Sequence, residues 1–232
     1  MRVFRVLWPL ISLPMMLSFC YIYNTTRSFG STMWRSAAKC GATFVAVITA
    51  VLGIVLFNRP ANAWLLALAL LFCCIADFVI ERDFRFGVIS FGLAHLVLIG
   101  YIAQLGGFRW GTVVAALVIY GIIALIFRQY LHSLGSMLLP MVLYPLVLSF
   151  MTAMAGTLPF AVSTQWILFA LGAAAFCISD LFVARDFICG ITGTQKNGAL
   201  ILYYLAVYAM ASIQLYSVSY THLRAHETRG NL

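Results

Sequence analysis

Two aspartates inside apolar sequence are the residues best suited to chemistry. Asp77 and Asp180 each lie six residues before a second aspartate, Asp83 or Asp186, which follows an arginine at the end of an apolar run. In a helix, six residues span about 9 Å. A carboxyl at that depth in a membrane costs on the order of 3 kcal/mol, so it usually faces the protein interior and serves a function. The alternative is a packing hydrogen bond, whereas we interpret Asp83 and Asp186 as interfacial charge pairs with the neighbouring arginines.

The deep aspartates belong to a repeated segment. CIADFVIERDF (Cys74–Phe84) and CISDLFVARDF (Cys177–Phe187) are identical at six of eleven positions, at a constant offset of 103 residues. Each copy ends an apolar run, and the two runs are four spans apart, so both cross in the same direction. This predicts a parallel four-plus-four duplication, with halves near 1–106 and 107–216 related by a pseudo-twofold axis along the membrane normal.

Such an axis would bring the two carboxyls toward one cavity. Like charges close together do not both ionise easily, which favours one protonated acid beside one ionised base. That pair suits hydrolysis through a cationic transition state. Glu81 follows Asp77 by one turn, while Ala184 stands in the same place after Asp180. Because a nearby carboxylate disfavours ionisation, we predict that Asp77 donates the proton and that Asp180 is the ionised partner.

Composition shows which elements must hold these residues. Of the 232 residues, 64% are hydrophobic and 9% are charged, and the mean hydropathy is +1.02. Soluble domains do not have this composition. We predict an all-α, polytopic membrane protein of about eight transmembrane helices, forming one domain over 1–216. The predicted spans lie near 5–24, 39–57, 62–80, 86–106, 111–127, 134–156, 165–184 and 198–216. We interpret the first as a membrane helix rather than a cleavable signal peptide.

The net charge of +8 is concentrated at the ends of these runs, which indicates orientation in a lipid bilayer rather than binding to nucleic acid. Connections after odd-numbered spans hold the larger group, Arg27, Arg35, Lys39, Arg82, Arg85, Arg128, Arg185 and Lys196. These connections are therefore expected in the cytoplasm of a bacterial cell, with the protein in the inner membrane. The six cysteines are interpreted as packing residues, and we expect neither a metal nor a cofactor. The tail, 217–232, changes character abruptly and resembles a non-native extension, so we assign no function to its histidines.

Further polar residues lie at a depth compatible with the two aspartates. They are spread over separate predicted helices, which indicates a lined pocket rather than isolated packing contacts. Lys39 opens the second span, and the others are His95, Tyr144, Tyr203 and Tyr204.

With these residues in place, the sequence resembles the YhhN-like lysoplasmalogenase family of eight-helix membrane proteins. The resemblance spans most of 39–213 and rests on Lys39, on AD and SD with the two aspartates, on FGLAH with His95, on VLYPLVLSFM with Tyr144, and on YYLA. It implies hydrolysis of the vinyl-ether bond of a lysophospholipid, releasing a fatty aldehyde and a glycerophospho-base. Asp77 and Asp180 would then be catalytic. The residues that bind the substrate would be Lys39, Glu81, Arg82, His95, Tyr144, Arg185, Tyr203 and Tyr204. The cations among them, Lys39, Arg82 and Arg185, would hold the phosphate.

Two other functions fit the same sequence. A proton-coupled transporter also uses parallel repeats with intramembrane carboxyls, and a purely structural membrane protein is the third reading. A transporter needs a path open alternately to both faces, whereas the deep polar residues here cluster toward one face. That asymmetry favours the hydrolase.

Overall fold

Eight long helices make up the fold. A computed structural model describes residues 2–27 and 32–216. The helices are α1 (Arg2–Thr26), α2 (Thr32–Leu56), α3 (Trp64–Ile80), α4 (Phe84–Gln104), α5 (Trp110–Phe127), α6 (Leu138–Ala161), α7 (Ile167–Cys189) and α8 (Gly193–Tyr216). Each is long and apolar enough to cross a membrane, and the described residues contain no strand. The predicted all-α membrane fold is therefore confirmed, while the tail 217–232 lies outside the described residues.

Four helices, α2, α6, α7 and α8, extend five or more residues beyond one end of their predicted spans. α2 begins at Thr32, although the apolar run begins at Lys39, and α7 continues to Cys189. Hydropathy detects only the part of a helix that lies in hydrocarbon, whereas a helix can continue through polar residues where it leaves the bilayer. As a result, Lys39 lies about two turns inside α2 instead of at its start.

The helices are arranged so that equivalent helices of the two halves have equivalent neighbours. α2 packs against α1, α3 and α8, and α6 packs against α5, α7 and α4. Exchanging each helix for the one four places away in the other half, so that α1 becomes α5 and α8 becomes α4, converts the first set into the second. The tightest pairs, α3 with α4 and α7 with α8, correspond in the same way. The predicted duplication accounts for this pattern of neighbours, and superposition of the halves stays a prediction.

Small residues allow α8 to sit deep in the bundle. A Cβ on Gly53 of α2 would lie 2.6 Å from the Gln214 Cβ, and one on Gly172 of α7 would lie 2.9 Å from the Ala206 carbonyl oxygen. Any larger residue at these positions would push α2 or α7 away from α8. Such close backbone approach is a common way for membrane helices to associate.

The two copies of the repeated segment end differently. α3 stops at Ile80, and the Asp83 carboxylate caps α4 by accepting hydrogen bonds from the backbone amides of Arg85 and Phe86. In the second copy α7 runs past Asp186 to Cys189. The last residues of the two copies, Phe84 and Phe187, nevertheless stack, with ring centroids 4.1 Å apart. A residue that contacts its own equivalent lies close to the axis relating them.

Candidate active site

A cavity of about 450 Å³ opens at the end of the bundle where α3 and α7 finish. This volume lies within the range of small-molecule sites. Both deep aspartates line it, beneath the stacked pair of phenylalanines. The polar part of the wall consists of Tyr23, Arg27, Lys39, Asp77, Glu81, Tyr144, Ser179, Asp180, Asp186, Lys196 and Tyr203.

Asp77 is surrounded by hydrogen-bond donors. Thr43 of α2 donates to Asp77 Oδ2, and the Tyr203 hydroxyl of α8 donates to the same oxygen at 2.7 Å. The Lys39 ammonium lies 3.9 Å from Asp77 Oδ1. The aspartate is only 1% exposed, so its charge could not otherwise be solvated. Two hydroxyl donors and a cation are the surroundings that an ionised carboxylate requires in a buried site.

Asp180 has a different set of partners. The Tyr144 hydroxyl of α6 donates to Asp180 Oδ2, and His95 Nε2 of α4 lies 3.0 Å from the Tyr144 oxygen. Because that hydroxyl hydrogen points at Asp180, His95 Nε2 must be the donor to tyrosine. His95 Nδ1 is buried and has no hydrogen-bond partner among the described residues. In the part of the chain that the structure describes, no lysine or arginine lies within 4 Å of Asp180.

Glu81 lies outside the membrane-spanning part of α3 and forms an ion cluster at the mouth. Its carboxylate lies 3.4 Å from Lys39 Nζ and 3.8 Å from Arg35 Nη2, and it accepts a 2.7 Å hydrogen bond from Tyr23. Burial works to raise the pKa of Glu81, but Lys39, Tyr23 and Arg35 together hold this pKa below its ordinary value. Glu81 is therefore a carboxylate whose charge is already compensated.

Two predicted phosphate ligands lie away from the cavity. Arg82 bonds to the Ser36 hydroxyl at 3.0 Å and to the Phe78 carbonyl at 2.7 Å, on the outer surface of α2 and α3, and Arg185 is exposed and outside the cavity wall. Their prediction as substrate-binding residues is corrected. Each follows its deep aspartate by five residues, which turns it about 140° away on a helix. The cations that do line the mouth are Arg27, Lys39 and Lys196.

The other predicted binding residues divide between the wall and a supporting layer. Lys39, Glu81, Tyr144 and Tyr203 line the cavity. His95 lies behind Tyr144, and Tyr204 is buried, its hydroxyl donating to the Lys39 backbone carbonyl at 3.3 Å. These two residues position wall residues and do not themselves face the cavity.

Several residues in the wall or directly behind it were not predicted from sequence. Thr43 lies behind the wall and follows Lys39 by four residues, so helical spacing gave a signal for it. Lys196 lies 2.7 Å from Asp186 Oδ1, which replaces the predicted pair between Asp186 and Arg185. Tyr23 lies in α1 and Arg27 directly follows it. Both are far from the repeated segments, and no pattern in the sequence indicated them.

A family model described as the YhhN family matches residues 34–213. The chain belongs to the YhhN family. The match includes both repeated segments, and the resemblance inferred from the sequence is confirmed. No curated protein and no solved structure matches the chain. In this YhhN protein the cavity also uses Tyr23 and Arg27, which precede the matched residues.

No three His, Cys, Asp or Glu side chains within 2–27 and 32–216 are grouped as a metal site would require. The chemistry that this wall can supply itself is proton transfer between two carboxyl groups. One of them has a cation and two hydroxyl donors, and the other has a tyrosine backed by a histidine.

Proposed function

We propose that this protein hydrolyses the vinyl-ether bond of lysoplasmalogen-type lysophospholipids. The observation that carries the proposal is one cavity, at one end of a membrane bundle, with two deep carboxyls in unequal surroundings. Enol ethers are cleaved by acid through protonation of carbon, so they need an acid and a base but no strong nucleophile. Bilayer lipids can reach a site at this depth, and the bacterial inner membrane is the location we propose.

The surroundings of the two carboxyls assign the roles within the pair. The prediction that Asp77 donates the proton rested on Glu81, whose charge Lys39 and Arg35 compensate in the structure. Lys39 also lies beside Asp77 itself. We therefore assign the ionised role to Asp77, which has Lys39 beside it, and the proton donor to Asp180, which has no lysine or arginine within 4 Å among the described residues.

The reaction then proceeds in three steps. Asp180 gives its proton to the vinyl carbon farther from the ether oxygen, which leaves an oxocarbenium ion at the carbon bonded to that oxygen. Asp77 stabilises this cation and takes a proton from the attacking water, as the base does in glycoside hydrolysis, and a hemiacetal forms. In the hemiacetal the bond to the glycerol oxygen breaks as Asp77 passes its proton to that oxygen, while the hemiacetal hydroxyl gives its proton to Asp180. The products are a fatty aldehyde and the glycerophospho-base, and both carboxyls return to their starting states.

The cations at the mouth suit the phosphate of such a substrate. Three cations line the wall: Arg27 just after the end of α1, Lys39 on α2 and Lys196 on α8. Arginine and lysine are the usual ligands of a phosphate monoanion or diester. A lysophospholipid would place its headgroup at this mouth and its ether bond near the deeper carboxyls.

A transporter would need a second opening, and the opposite end of the bundle is filled. Arg59 is only 8% exposed, and its guanidinium donates two hydrogen bonds to the Gln214 carbonyl, at 2.8 and 2.6 Å. Gln214 in turn donates to the Tyr101 hydroxyl at 2.8 Å. A carrier would have to break these contacts to open alternately to both faces, whereas a hydrolase entered from one face keeps them intact.

The test is aldehyde release by the purified full-length protein in detergent. Three lysophospholipids with the same headgroup and chain length are compared: the vinyl ether, the saturated alkyl ether and the ester. Only the vinyl ether should react, and in D₂O the aldehyde should carry one deuterium on the carbon next to the carbonyl. Cleavage of the ester at a similar rate, or aldehyde without deuterium, would contradict protonation of carbon.

A further inference from the structure

A second, smaller cavity adjoins the first at Asp180. It has a volume of about 110 Å³ and lies between α5, α6 and α7. Four residues line both cavities: Met141, Tyr144, Asp180 and Ala184. The rest of its wall is almost entirely hydrocarbon, from Ile123 and Phe127 on α5 to Leu148 on α6 and Ile188 on α7. We call this second cavity the α5–α7 groove.

The two cavities differ in chemistry, and Asp180 and Tyr144 lie at their boundary. The large cavity contains the cations and six carboxyl or hydroxyl side chains beyond those two, whereas the groove offers one further hydroxyl, that of Tyr120. Asp77 lines only the large cavity. A lysophospholipid has the same division, since its vinyl-ether bond separates a polar glycerophospho-base from a hydrocarbon chain.

We infer that the α5–α7 groove binds the first carbons of the substrate's hydrocarbon chain and thereby holds the vinyl carbon at Asp180. This inference rests on the proposed function and adds to it the chain-binding site and the reason why Asp180 is the acid. The groove opens into the carboxyl cavity at Asp180, so the hydrocarbon chain of a substrate whose ether bond lies at Asp180 passes directly into the groove. This continuity identifies the substrate's chain as the occupant.

The size of the groove limits what it can hold. About 110 Å³ is less than a whole small-molecule site, so only the start of a chain fits and the remainder continues into the bilayer. Leu148 is only 2% exposed and closes the buried end, whereas Ala124 lies on the exposed face of α5. The groove is therefore open on the side that faces lipid.

The first test narrows the groove and compares substrates of two chain lengths. Ala124→Phe fills the groove from α5, and Ala115→Phe adds the same ring to an exposed position of α5 outside the groove. The measured quantity is the ratio of kcat/KM for a hexadecenyl and a propenyl glycerophosphocholine. We expect Ala124→Phe to lower this ratio about tenfold, because the propenyl chain hardly enters the groove, and Ala115→Phe to leave it unchanged. An unchanged ratio in Ala124→Phe, or equal falls in both variants, would overturn the inference.

The second test does not depend on turnover. A lysophosphatidylcholine with a diazirine near the start of its chain is photolysed with the wild-type protein in detergent, and the labelled residues are mapped. Labels should concentrate on groove residues such as Ala124 and Ile188. Labels spread evenly over the exposed faces of all the helices would indicate bulk lipid contact and reject the groove. If neither vinyl ether is cleaved but labelling is confined to the groove, the proposed reaction fails while the binding site stands.

Discussion

The surroundings of Asp77 and of Asp180 are built from corresponding helices but have different chemistry. Asp77 on α3 is contacted from α2 and α8, and Asp180 on α7 is contacted from α6 and α4. The first set provides a threonine, a tyrosine and a lysine, and the second provides a tyrosine and a histidine. In the proposed reaction this difference would make one carboxyl the base and its equivalent the acid. Sequence identity between the repeated segments does not reveal this, because the differing residues lie on other helices.

Substitution of the two carboxyls themselves should have the largest effect on activity. We expect Asp77→Asn and Asp180→Asn each to lower kcat by about 10²–10⁴-fold, the usual contribution of an acid or base, with the larger loss in Asp180→Asn. The amide oxygen can still accept the tyrosine hydrogen bond, so both variants should fold, as checked by their melting temperatures in detergent. Near-normal aldehyde release from either one would mean that the carboxyls have a packing role.

Removing the cation tests whether Lys39 fixes the ionised state of Asp77. Lys39→Met should lower kcat about 100-fold, because the cation also balances Glu81 and neither carboxylate is fully solvated. The matched change in the other half is Lys196→Met. Lys196 and its partner Asp186 are each 30% exposed, and such pairs contribute little. We therefore expect less than a threefold change in kcat from that variant, with any effect in KM. Equal losses in kcat would remove the distinction between the two cations.

The two tyrosines give a smaller and more closely matched comparison. Tyr203→Phe leaves Asp77 with Thr43 and Lys39, so the activity should fall only about threefold. Tyr144→Phe removes the hydroxyl between Asp180 and His95. A fall of about 10–100-fold is expected, because Asp180 becomes a carboxylate as it gives up its proton and a hydrogen bond to a charged group contributes roughly 1.5–3 kcal/mol. The kcat values of both variants, measured on the vinyl ether, decide this order. A larger loss in Tyr203→Phe would reverse the assigned roles.

The sequence predicted well those features whose free energy depends only on residues close together in the chain. The free energy of inserting a helix into the bilayer comes from the apolar residues of that helix, so hydropathy located all eight helices. The high cost of a buried carboxyl likewise marked Asp77 and Asp180 as interior residues. Both deductions need only the residues near each position, and the structure places both aspartates at one cavity.

Two features were harder to predict: the rotation of each helix about its own axis, and contacts between residues that are far apart in the sequence. Arg82 and Arg185 lie at the correct face of the membrane, but their rotation about the helix axis turns them away from the cavity. That rotation depends on how the neighbouring helices pack. Tyr23 reaches Glu81 across 58 positions of sequence, and its selection depends on the packing of α1 against α2. A pattern within one segment cannot encode such a contact.

The smallest expected effect concerns Asp83 and Asp186, which occupy the same position in the two copies. Both were predicted to tolerate asparagine, and the structure gives a separate reason for each. Asn caps a helix about as well as Asp, so Asp83→Asn should leave both melting temperature and kcat nearly unchanged. Asp186→Asn weakens a half-exposed pair with Lys196, which costs at most about 1 kcal/mol.

Alanine at the same two positions should separate their roles. Asp83→Ala removes the cap of α4 and should lower the free energy of unfolding by about 1 kcal/mol, with kcat per folded molecule unchanged. Asp186→Ala should leave the melting temperature nearly constant. Because Asp186 lines the cavity beside Lys196, its loss frees that cation for the substrate phosphate and should lower KM about twofold, consistent with a partly exposed charge pair. A loss of kcat in Asp83→Ala without a fall in melting temperature would place Asp83 in the reaction, against its position at the start of α4.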